Sequence, residues 1–123
     1  MKIFLVYTST PGSNVNDDEI IAYINSSKFD WWRYNNYDWI LVTPDNISTN
    51  QILEKFRQFY ENTVIGVFDI DINNYSGYGP LIEYADGSKS SIFDFFRALK
   101  SDNYIPGWER NNYQNIISKR EEK

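Results

Sequence analysis

The run Ile3-Phe4-Leu5-Val6-Tyr7 limits the fold more than any other stretch of the chain. Side chains alternate along a strand, so Ile3, Leu5 and Tyr7 share one face while Phe4 and Val6 share the other. Both faces are apolar. β-Branched and aromatic residues favour the pleated conformation, and Ser9-Thr10-Pro11-Gly12-Ser13 ends it. A strand that is apolar front and back belongs inside a sheet, covered on both sides. Residues 64–70 repeat the pattern, with Val64, Phe68 and Ile70 against Ile65 and Val67.

Two helices and a hairpin fall between these strands. Asn16 with Glu19 three residues on has capping-box spacing, and Ile20, Ile21 and Ile24 supply an apolar face as far as Ser26-Ser27. Residues 30–43 carry aromatic, β-prone runs on either side of Asn35-Asn36. Asn tolerates the positive φ of a tight turn, which predicts a hairpin of residues 30–35 and 38–43, closed by Pro44. Ser48 with Gln51 is a second capping box, and Ile52, Leu53, Phe56, Phe59 and Tyr60 form one helical stripe.

The order β-α-β-β-α-β predicts an α+β, ferredoxin-like fold: a four-stranded antiparallel sheet with both helices on one face. The core then spans residues 2–72 of a single domain, and residues 73–123 form a C-terminal helical extension. In that extension Leu81–Ala85 reads as a short strand and Asp86-Gly87 as a turn. Ser91 opens a helix with Ile92, Phe93, Phe96 and Leu99 on its face. Pro106-Gly107 closes the regular part, and the polar last 10–15 residues are expected to be mobile. Two helices cover one sheet face only, so the second apolar face needs either segment 81–117 or a second copy of the chain. A homo-oligomer, a dimer or larger, is expected.

Composition narrows the chemistry. The 123 residues contain no His and no Cys, which removes imidazole acid–base chemistry, His and thiolate metal ligation, disulfides and cysteine nucleophiles. The net charge is −5: residues 1–75 hold ten acidic and five basic groups, and the remainder seven of each. That balance is not the footprint of a nonspecific nucleic-acid binder. No apolar run approaches the roughly 20 residues a membrane helix needs, and the opening apolar stretch is too short for a signal peptide. The expected location is the cytoplasm of a bacterial or phage-infected cell. No cofactor and no metal are expected.

Some residue groups could nevertheless carry function. Trp31, Trp32, Arg33, Tyr34 and Tyr37 interleave rings with one cation, which suits base stacking, although alternate aromatics also pack cores. Arg57, Arg97 and Arg110 could clamp a phosphate if the fold brings them together. Tyr78 lies in the Gly/Tyr loop 75–79, a composition that often contacts ligands. Ser9–Ser13 could hold an anion ahead of a helix N-terminus, where Asp17 and Asp18 would repel it. Asp69-Ile70-Asp71 could place both carboxylates on one strand face, or simply end a strand. The candidate ligand-binding set is therefore Trp31, Arg33, Tyr34, Arg57, Tyr78, Arg97 and Arg110, with no catalytic residue.

The opening Lys-Ile-Phe-Leu-Val-Tyr strand, Trp31-Trp32-Arg33-Tyr34, the run Trp39–Thr43 and Val64–Phe68 together resemble the SinR-like protein family. Those proteins are similar to the CRISPR-associated spacer-acquisition endoribonucleases, a family of ferredoxin-fold dimers. The resemblance covers residues 2–80 and implies that fold and dimerisation. It also implies a metal-binding Asp at the end of the first strand, where this chain reads Tyr7-Thr8-Ser9-Thr10. The expected function is thus a non-catalytic dimeric binding module that takes a nucleotide or RNA on an aromatic-rich surface. The alternatives are a divergent metal-dependent endonuclease and a phage protein that sequesters a nucleotide signal.

Overall fold

The computed structural model describes residues 1–9, 17–33, 37–60, 62–77, 81–83 and 85–110. Its elements run β1 (Lys2–Thr8), α1 (Asp17–Ser26), β2 (Asp30–Trp32), β3 (Asp38–Thr43), α2 (Thr49–Phe56), β4 (Ile65–Ile70), β5 (Ile82–Glu83), β6 (Lys89–Ser90) and α3 (Ile92–Leu99). The α+β class expected from the sequence is the class observed. Four strands form an antiparallel sheet in the order β2-β3-β1-β4, and β5 pairs with β6 in a separate ribbon.

The sheet register follows the apolar alternation. Phe4 pairs with Leu41 and Val6 with Trp39, while on β4 Val6 also meets Val67. These side chains face α1 and α2, and Ile20, Ile24, Ile52 and Phe56 complete a fully buried layer with them. Ser48 caps α2 as its spacing predicts: its hydroxyl accepts from Gln51 N, and the Gln51 side chain accepts from Ser48 N. The proposed cap of α1, Asn16, and the turn residues Asn35-Asn36 lie outside the described residues.

The opposite sheet face is covered from within the chain. Ile3, Trp32, Ile40 and Val42 pack against Phe95, Phe96 and Leu99 of α3, with Tyr104 and Trp108 along the border. Helix α3 starts at a capping box in which the Ser91 hydroxyl accepts from Asp94 N and the Asp94 carboxylate accepts from Ser91 N. The Asp86-Gly87 turn before it has Gly87 at φ +85, a conformation glycine adopts without strain. Sequence periodicity assigned Phe93 to the buried stripe and passed over Phe95. Phe95 is buried instead, while Phe93 lies half-buried, stacked on Tyr75 with ring centres 5.7 Å apart.

One expectation is corrected. Residues 64–70 read as an interior strand, but β4 is the border of the sheet, paired only with β1 among the described strands. Its Phe68 is 56% exposed. The cover provided by α3 reaches Ile3 and Ile70 but stops short of Phe68 and its diagonal neighbour Tyr7, which remain open on that face.

Candidate functional site

Two regions concentrate polar chemistry, one on each side of the sheet. The first lies beside α3. A cleft of about 790 Å³ runs between that helix, β6 and the segment after it, within the volume range of small-molecule sites. Phe95, Ala98 and Ile105 give it apolar walls. Lys89, Ser90, Ser101, Asn103 and Arg110 give it polar ones, and Asp94 is the carboxylate on its wall. The Asp94 charge already serves the helix, since it accepts from Ser91 N and pairs with Arg97. Its backbone hydrogen bond holds its carboxyl below the usual range, helped by the Arg97 charge.

Behind the cleft wall sits Asp30, fully buried on β2. Its Oδ2 accepts from Tyr104 Oη, from Gly107 N at 3.3 Å and from Arg110 Nη2 at 2.8 Å. Arg110 Nε also donates to the Ile105 carbonyl at 2.7 Å, so the guanidinium is held from two sides. Burial raises the Asp30 carboxyl above its ordinary 3.8, and the Tyr104 hydroxyl, Arg110 charge and Gly107 amide pull the other way. A buried carboxylate tied to three donors fixes residues 104–110 against β2 and so shapes the cleft.

The second region is at the N-terminal end of α1, on the other sheet face. Arg33 follows β2, donates from Nη1 to Asp17 Oδ2 at 2.8 Å and lies 3.7 Å above the Trp39 ring centre. It is 7% exposed. Trp31 and Trp39 pack with ring centres 5.6 Å apart, and Trp39 Nε1 donates to Tyr60 Oη.

These positions sort the expected site residues. Trp31 is in the core, so its ring offers no surface for stacking, and Trp32 is buried on the opposite face. Trp31 and Trp32 are therefore split between two hydrophobic layers. Arg57, Arg97 and Arg110 do not converge. Arg57 extends from the C-terminal end of α2 and pairs with Glu54, on the far side of the sheet from α3. Arg97 is exposed on α3 and pairs with Asp94, and Arg110 alone of the three lines the cleft. Tyr34 and Tyr78 lie outside the described residues. Lys89, Asn103, Tyr104 and Asp30 were not legible as site residues, because long-range packing after residue 88 brings them together.

At the end of β1 the hydroxyls are committed to backbone. Thr8 Oγ1 donates to the Tyr37 carbonyl, and Ser9 Oγ accepts from Val64 N at 3.1 Å. Asp71 caps its own turn by accepting from Asn73 N. Among the described residues no group of three His, Cys, Asp or Glu side chains is placed to hold a metal, and no helix is long and apolar enough to cross a membrane. No family model, curated protein or solved structure matches the chain.

Proposed function

We propose that this chain is a non-catalytic binding module with a ferredoxin-like core, that it works as a homodimer, and that it holds a nucleotide in the cleft beside α3. The observation that carries the reading is the cleft itself. Apolar walls from Phe95, Ala98 and Ile105 suit a base. The Lys89 ammonium and the anchored Arg110 guanidinium suit a phosphate, and the Asn103 amide and the Ser90 and Ser101 hydroxyls suit polar edges. The strand order β2-β3-β1-β4, with helices linking β1 to β2 and β3 to β4 on one face, supports the ferredoxin-like assignment. A chain that sequesters a nucleotide signal would use the same cleft. The nuclease alternative draws no support from the end of β1, where both hydroxyls bond to backbone.

The test is a thermal-shift and calorimetric screen of nucleoside mono-, di- and cyclic phosphates. A specific ligand raises Tm saturably by mass action. Ala98→Trp, on the exposed side of α3, fills the cleft and abolishes that response while leaving the ligand-free Tm nearly unchanged. A nucleotide response that survives Ala98→Trp, or no response to any member of the set, removes the proposal.

A further inference from the structure

Arg33 has donors that its neighbours do not use. Nη1 is occupied by Asp17, but Nε and Nη2 are buried without a hydrogen-bond partner among the described residues. These two groups form the side-on edge of the guanidinium, whose parallel N–H bonds match two oxygens of one carboxylate or phosphate. Trp31 Nε1, on the ring that packs against Trp39, is a further buried donor without a partner. The guanidinium sits against Asp17, the first residue of the ten-residue α1, so the positive end of that helix dipole adds to its field. A buried charged donor left unpaired is expensive, and native folds rarely keep one without a role for it.

We infer that the Nε/Nη2 edge of Arg33 is the seat of a two-oxygen anion, a phosphate or carboxylate group carried by a small molecule. Trp39 fixes the plane of the guanidinium by stacking, and Asp17 fixes its rotation by holding Nη1. Asp17, on the Nη1 side of the guanidinium, has a side chain that is 47% exposed. Asp17, Asp18 and Glu19 crowd the same helix end and oppose the anion. Asp17 is therefore an internal competitor as well as a positioning residue. The site is distinct from the α3 cleft, because it belongs to the sheet face that carries α1 and α2.

The experiment follows Tm and binding heat of the full chain in sodium phosphate and in sodium acetate, each against sodium chloride at equal ionic strength. A saturable rise with phosphate or with acetate, absent with chloride, is expected, and the stronger of the two identifies the anion. Arg33→Gln abolishes the rise, and Arg33→Lys, which keeps the charge but lacks the fork, weakens it. Asp17→Asn tightens binding roughly fivefold, the effect of removing one partly screened like charge. Ala98→Trp leaves the response intact, which separates this site from the cleft. An equal rise in chloride, a rise that persists in Arg33→Gln, or weaker binding in Asp17→Asn overturns the inference. If Arg33→Gln does not fold, the Asp17→Asn measurement decides.

Discussion

Asp30 holds Arg110 across a separation of eighty residues. Removing the carboxylate leaves the guanidinium, Tyr104 and Gly107 facing an apolar layer. Asp30→Ala should therefore cost about 3 kcal/mol in urea unfolding, the scale for breaking a buried ion pair. The pH dependence has a definite sign. Burial raises the Asp30 carboxyl above the usual value, so the folded chain binds that proton more readily than the unfolded chain does. The stability this adds is complete below the ordinary carboxylate range and is lost as pH rises through the raised value. The stability difference between the wild type and Asp30→Asn should accordingly shrink over that window, which urea titrations at a series of pH values would read. No local pattern marks Asp30 in the sequence, where it looks like the polar residue that opens a strand. Arg33 is the contrary case: residue type and aromatic company singled it out, but its burial against Trp39 and its bond to Asp17 depend on the register of three separate elements.

Elements were legible where their signals are local. The Ser48 capping box appears where spacing put it, because the cap and its partner are three residues apart, and the helix read as opening at Ser91 does begin there, with a capping box of its own. The end of β1 and the extent of β3 follow from their β-prone apolar runs and the residues that close them. The position of β4 did not, since an apolar front and back cannot distinguish an interior strand from a border strand awaiting cover. On the inward face of α3, Phe96 and Leu99 were read correctly, but Phe95 takes the fully buried place that was given to Phe93. Tyr75 packs on both Phe93 and Phe96, so Phe93 stays half-buried at the margin of this layer while Phe95 is buried against Trp32. The α3 cap is the more informative one to remove. Ser91→Ala should cost about 1 kcal/mol, the usual worth of an N-cap side chain. Hydrogen exchange should then quicken first in α3 and leave α1 and α2 protected, because those helices belong to the other hydrophobic layer.

At the scale of the molecule, the sheet is enclosed on one face by α1 and α2 and on much of the other by α3 and residues 104–108. What stays open among the described residues is a corner formed by Tyr7, Phe68 and the outer edge of β4. A second copy related by a two-fold axis would bury that corner and pair the two edges, the common way a chain removes an exposed strand border. Phe68→Glu should then convert a dimer into a monomer in size-exclusion chromatography with light scattering. A wild-type chain that is already monomeric at tens of micromolar would dismiss the dimer. The sequence led to the question of what covers the second face and to both candidate covers. Choosing between them needed the path of residues 73–110, whose short strands and turns carry little periodicity.

The division of labour between the two halves also has a temporal side. Everything the first sheet face needs is present once Ile70 has been made, but the other face waits for α3 and for Arg110. At ordinary translation speeds the intervening stretch takes on the order of seconds to synthesise. Through that interval a nascent chain would carry Ile3, Ile40 and Val42 bare, so ribosome-associated chaperones should engage it after β4 and let go once the strap to Asp30 has closed.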